Sequence, residues 1–242
     1  MHRIFTYGVT FIFGVGAGWI AQGNYWDVLL TSYVPAVATL IAAFYGAKYA
    51  FQFQREKEIE DNKRRNVVNG NSAIFSMALM ASKLVNFQKQ IIEPVRSNSQ
   101  TRFLEMYPTL DLEKDDIKLD IESLYFLLET DDRNLLGEVS AEEGRYRSAL
   151  DAINERSRLH RQEVQPLLER AGFVQGVGNY SDAQLEHALG NRLYTTLQQA
   201  TEETIYHVDS TVISLKQITD KLRASLKKQY PNETIISFTI PL

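Results

Sequence analysis

Residues 4–22, IFTYGVTFIFGVGAGWIAQ, and residues 28–47, VLLTSYVPAVATLIAAFYGA, decide how the rest of this chain is read. Only Gly23-Asn24-Tyr25-Trp26-Asp27 separates them, and neither stretch holds a charged side chain. Wound as a helix, each reaches about 30 Å, the thickness of a bilayer's hydrocarbon core. The expectation is a two-helix transmembrane hairpin over residues 1–54, an elongated antiparallel helical bundle or coiled coil over 55–230, and a short β-like tail over 231–242. The fold class that follows is all-α.

Lysine and arginine flanking a span stay on the cytoplasmic side. Arg3 precedes the first span, and Lys48, Arg55, Lys57, Lys63, Arg64 and Arg65 follow the second, while the intervening turn has none. Both termini are therefore expected in the cytoplasm, with a bacterial inner membrane as the compatible location. Trp19, Tyr25 and Trp26 would mark the outer interface and Tyr45 and Tyr49 the inner one. The competing reading of the first span is a cleaved secretory signal, with Arg3 as its charged start and Gly16-Ala17-Gly18 as its cleavage site. A span of this length followed at once by a second favours the hairpin.

Small residues recur every fourth position in both spans: Thr6, Thr10, Gly14 and Gly18 in the first, Ala38, Ala42, Gly46 and Ala50 in the second. Lipid offers no hydrophobic drive for helix association, so helices meet there by close backbone approach along such ridges. Folding the hairpin about Trp26 sets Gly14 near Ala38 and Thr10 near Ala42, which makes packing within the hairpin the favoured use of the ridges. Contact with a neighbouring protomer, or a pore lined by Thr6, Thr10 and Thr39, are the alternatives.

The formal net charge of −4 argues against a nucleic-acid-binding body, which needs concentrated cationic surface. The absence of cysteine removes disulfides, thiol nucleophiles and cysteine-based metal sites, and suits a cytoplasmic domain.

The remaining chain reads as helix. The second span continues without a breaker through the charged stretch Gln52 to Asp61. Asn69-Gly70-Asn71 is the first punctuation, with Ser72 placed to cap a new helix from Ala73 to about Val95. Ile74, Met77, Ala81, Leu84, Ile91 and Val95 give that helix a seam of period 3.5. A further seam, Ile121, Leu124, Leu127 and Leu128, follows an acidic linker. From about Arg133, the residues Leu135, Leu136, Val139, Tyr146, Leu150 and Ile153 mark a long helix, which Pro166 should kink or end. Ser181 and Gln184 form a capping box for a short helix stopped by Gly190. From about Arg192 to Gln229, Leu193, Leu197, Ile205, Val208, Val212, Leu215, Ile218, Leu222 and Leu226 keep to one face. The tail has strand propensity in Ile235, Ile236, Phe238 and Ile240, and either finds a partner's edge or lies as an extended arm along the bundle.

No catalytic, cofactor-binding or metal-binding residue is assigned. His2, His160, His187 and His207 are scattered, and neither Glu203 with His207 nor His160 with Glu163 matches the Glu-x-x-His spacing of a di-metal bundle. Gly172, Gly176 and Gly178 lack the strand and the Lys-Ser/Thr of a phosphate loop. Asp111, Glu113, Asp115, Asp116 and Asp120 lack the ligand spacing and central glycine of a calcium loop. Arg156, Arg158, His160 and Arg161, with Arg145 and Arg147 upstream, would make a patch for an anionic ligand. Against this, Glu142, Glu143, Asp151 and Glu155 stand three or four residues away and can neutralise it.

Three function classes remain. The first is a non-enzymatic, homo-oligomeric membrane protein whose cytoplasmic bundle senses a signal and acts on the hairpin; bacterial membrane-disrupting defence effectors are similar in layout, without a shared motif. The second is a scaffold or tether that recruits a cytoplasmic protein partner to the bilayer. The third, a membrane enzyme, lacks any site-like cluster.

Overall fold

The computed structural model describes residues 34–113, 117–173 and 181–238. Thr6, Thr10, Gly14 and Gly18, the first span and Ile240 lie outside the described residues. The chain is all-α: among the described residues there is no strand. The helices are α1 (Val34–Phe87), α2 (Arg102–Glu105), α3 (Leu135–Leu159), α4 (Gln165–Arg170), α5 (Asp182–Leu189) and α6 (Asn191–Gln229). The chain divides into two compact units, Met1–Asn62 and Lys63–Leu242.

In the first unit the described residues belong to α1. An 18-residue window there has mean hydropathy 1.3 and no part of it is buried against the protein, so this helix is long and apolar enough to cross a membrane. Leu40, Ile41, Phe44, Tyr45 and Tyr49 all lie exposed, with Tyr45 stacked on Tyr49. Ala38, Ala42, Gly46 and Ala50 are exposed on the same helix, and a Cβ built at Gly46 meets nothing within 4 Å among the described residues.

The second unit is held by one principal core shared by α1, α3 and α6. Gly70 of α1 lies against Leu226 and Gln88 against Asp209, while Glu142 of α3 meets Ser214 and Ala152 meets Thr204. Both α1 and α3 therefore run antiparallel to α6. Spanning 39 residues, α6 is about 58 Å long at the standard rise. Every apolar residue expected on its face from Leu197 to Leu226 is buried, because a 3.6-residue turn keeps that spacing on one side. The same holds for Leu135, Val139, Tyr146, Leu150 and Ile153 on α3, while Leu136 is half-buried at the edge of the core. Ser181 and Gln184 form the reciprocal capping box of α5, and Gly190 ends it at φ +75°, a conformation only glycine adopts freely.

Asn69-Gly70-Asn71 does not end a helix, contrary to the sequence expectation: α1 continues through it to Phe87. All three residues are used for docking. Gly70 supplies the close approach to Leu226, Asn69 Nδ2 donates to Ser123 O at 3.1 Å, and Asn71 grips the tail. A second difference concerns phase. Two proline-bearing helical segments are preceded by a π-helical turn, Gln88–Ile92 before Pro94 and His160–Val164 before Pro166. A proline lacks the N–H and its ring crowds the carbonyl four residues back, and widening the preceding turn relieves both. The extra residue in the first turn shifts the register, so Ile92 rather than Ile91 is fully buried.

To join two helices that run the same way, the chain must return the length of the bundle, and the acidic linker does this as an extended strap. Asn154 brackets Leu112, accepting from its N–H at 2.8 Å and donating to its carbonyl at 2.9 Å. Ser157 accepts from Thr109 N–H and Glu143 from Leu119 N–H. Leu124 and Leu127 are buried as expected, but on a 3-10 helix, Glu122–Glu129, whose three-residue turn leaves Leu128 exposed.

The tail is an arm laid on α1 over its described length. Asn71 Nδ2 donates to Thr234 O and Asn71 Oδ1 accepts from Ile236 N–H, both at 3.0 Å. Ile235 is buried in the core, Ile236 packs against it and Phe238 meets Phe75. Replacing Asn71 by alanine removes both hydrogen bonds, so amide exchange at Ile236 should rise at least tenfold while α6 keeps its protection, as read by hydrogen-exchange mass spectrometry.

Candidate functional site

The inward face of α3, continued into the π-turn after it, carries polar residues within and beyond an apolar run. Leu135, Val139, Tyr146, Leu150 and Ile153 form the run, and the same three- and four-residue steps bring Glu142 inside between Val139 and Tyr146, and Arg156, Ser157 and His160 inside after Ile153. Glu142, fully buried, accepts from Ser214 at 2.6 Å and from Arg145 at 2.7 Å. The group after Ile153 is the more demanding chemically.

There the Arg156 guanidinium is 1 % exposed and makes hydrogen bonds only to neutral groups. Its Nη2 donates to Phe103 O at 2.9 Å and its Nε to Thr201 Oγ1 at 3.3 Å, while Nη1 is buried with no partner among the described residues. The Thr201 hydroxyl donates to Leu197 O, so its oxygen is free to accept. One turn on, His160 is 5 % exposed; the Leu104 backbone bonds its ring and Nδ1 has no partner among the described residues. The His160 pKa is lowered to about 4, chiefly by burial and then by the positive Arg156, with the Leu104 bond opposing both. Burial alone brings Arg156 down to about 10, still protonated at neutral pH. The apolar wall is a second core cluster in which Phe103, Leu159, Val164 and Leu197 meet.

The four residues read as one cationic patch separate around the helix, since positions 156, 158, 160 and 161 fall at about 100° per residue. Arg156 and His160 turn inward together. Arg158 turns outward to Glu155 at 2.6 Å, and Arg161 reaches the linker, donating to Thr109 O and to Asp111 Oδ1 at 2.7 Å. Upstream, Arg145 pairs with Glu142 and Arg147 with Glu143. Sequence reasoning did not single out Thr201, Ser157 or the Phe103 carbonyl. The available signal was periodic: continuing the α3 seam by its own spacing passes through Glu142 and Arg156.

Elsewhere, a shallow cleft of about 380 Å³ beside Asn66, Phe126 and Tyr230 is rimmed by Asp131 and Lys228, which pair at 3.1 Å. Along α1, Val68, Phe75 and Leu79 form an exposed apolar stripe that continues onto Phe238 of the tail. No group of three or more His, Asp or Glu placed to hold a metal occurs among the described residues. Comparison of the chain with protein-family models, with curated proteins and with solved structures returns no match.

Proposed function

We propose that this chain is a non-enzymatic, membrane-anchored helical protein that acts as a homo-oligomer and couples a signal-sensing cytoplasmic bundle to a two-helix membrane hairpin. The observation that carries this reading is α1 itself. Its N-terminal part is apolar and uncovered, whereas from Val67 onward it supplies one wall of a packed core. A contiguous apolar surface of that size on a water-soluble protein would be unusual, and lipid is the solvent that suits it. In this reading the hairpin lies in a bacterial inner membrane with both termini in the cytoplasm, as the flanking cations favour. The stripe Val68, Phe75 and Leu79 supports association of bundles, since its steps of seven and four residues keep one helix face. The buried polar groups of the α3 seam support a bundle that responds to a signal, because such groups tolerate one environment and not another.

The test uses the full chain in cells. The protein should stay in the membrane fraction through alkaline carbonate, and its overproduction should depolarise the cells. Gly46→Leu should abolish depolarisation without loss of folded protein, because a side chain at this position meets nothing in the described structure and yet blocks close helix approach. Release by carbonate would overturn the membrane reading. An intact membrane potential, together with capture of a specific soluble protein that is lost on deleting Thr234 to Leu242, would turn the assignment to a scaffold or tether.

A further inference from the structure

A buried arginine needs a counter-charge as well as acceptors. Arg156 has neutral acceptors on two of its nitrogens and nothing on the third, and among the described residues no carboxylate pairs with it. Several acids and cations on the elements around it are already engaged. On α2 and α6, Arg102 pairs with Glu202; on α2, Glu105 accepts from Asn98 at 2.8 Å and Thr101 at 2.6 Å; after α3, Arg161 pairs with Asp111. An uncompensated ion in an apolar interior is strongly unfavourable, and water satisfies its donors but leaves its charge. His160, one turn along the same face, holds the second unpartnered polar atom of this region.

We propose that Arg156 and His160 bind one small inorganic anion between them, and that the anion enters together with a proton. His160 bonds the Leu104 backbone through Nε2, since Nδ1 is the unpartnered nitrogen. In the neutral ring Nδ1 is then a lone pair, which repels an anion; with the proton added it becomes an N–H donor. The complex therefore holds a guanidinium, an imidazolium and the anion, with Thr201 and the Phe103 carbonyl fixing the guanidinium plane. Both side chains are buried beside the core cluster of Phe103, Leu159, Val164 and Leu197, and a site buried to this degree favours a halide or compact oxyanion over an organic one. This inference deepens the proposed function by naming the ligand class to which the bundle responds, and it rests on that reading only for what the response does.

Calorimetric titration of the detergent-solubilised full chain with sodium sulfate, and separately with sodium chloride, tests it, with sodium gluconate as the large control anion at equal ionic strength. Sulfate or chloride should bind one per chain and raise the Tm, while gluconate does neither. In two buffers of different ionisation enthalpy, one proton should be taken up per anion bound, and affinity should weaken about tenfold from about pH 6 to about pH 7. Arg156→Met should abolish the anion response. His160→Gln, which keeps a donor, should bind with no pH slope. Equal behaviour in sulfate, chloride and gluconate overturns the proposal, as does an anion response that survives in Arg156→Met or a pH slope that survives in His160→Gln. Should Arg156→Met not fold, the His160→Gln slope decides alone. Anion binding by a chain that carbonate releases from membranes would leave this site standing and remove the membrane reading.

Discussion

Replacing Gly70 by leucine is expected to destabilise the second unit by about 3 kcal/mol, whereas alanine at the same site costs about 1 kcal/mol. A Cβ at Gly70 would lie 2.5 Å from Leu226 Cδ1, 2.8 Å from Cδ2 and 3.2 Å from Cγ. Rotating Leu226 only exchanges one methyl for the other, and with Leu226 fully buried there is no solvent to turn into. The opposing term is helix propensity: glycine in a helix interior is about 1 kcal/mol worse than alanine, so alanine recovers part of what the overlap loses. Leucine gains nearly the same propensity term but must fit three further carbons against the buried Leu226. Chemical unfolding of the full chain in detergent measures both, and Leu226→Ala combined with Gly70→Leu should be more stable than the sum of the two single changes. If Gly70→Leu unfolds at the same denaturant concentration as the parent chain, then α1 and α6 do not meet there and the glycine is the helix break that its neighbours suggest.

Acid should weaken the same unit through His160. Its folded pKa of about 4 lies below the unfolded value near 6.5, so between those limits the unfolded chain binds the extra proton. The stabilisation is complete above about pH 6.5 and is lost as pH falls toward about 4, amounting to about 3 kcal/mol over the window. Measured in gluconate buffers, stability against pH should fall less steeply for His160→Gln than for the parent chain across that window. Identical slopes would mean that His160 is solvated in the folded protein. Glu105 and Glu155, held low by hydrogen bonds from Asn98 and Thr101 and from Arg158, titrate in both proteins and cancel in the difference.

Periodicity made the long elements legible. The seams of α3 and α6 are written in residues spaced three and four apart, and burial follows that spacing wherever a helix is regular. The capping box at Ser181 and Gln184 was equally plain, since a cap is a local bond between near neighbours. Local chemistry misled at Asn69-Gly70-Asn71, where residues that often end helices serve contacts to partners more than fifty positions away. The π-turns before Pro94 and Pro166 were hidden for a related reason. A proline announces a disturbance, but whether the helix breaks, kinks or widens depends on what packs around it.

The amino-acid order alone determined the apolar N-terminal segment, the all-helical class and which faces of α3 and α6 turn inward, because each is set by side-chain transfer and by a repeat within one element. Tertiary structure decided the strap formed by the acidic linker, the arm formed by the tail, and the conversion of a run of arginines and a histidine into one buried pair and two outward contacts. Those outcomes depend on which surface happens to face a group across the bundle, and the charge of a residue does not encode that. Arg156 shows the difference most directly: its position in the helix sends it inside, and only the neutral neighbours found there leave its charge without an answer.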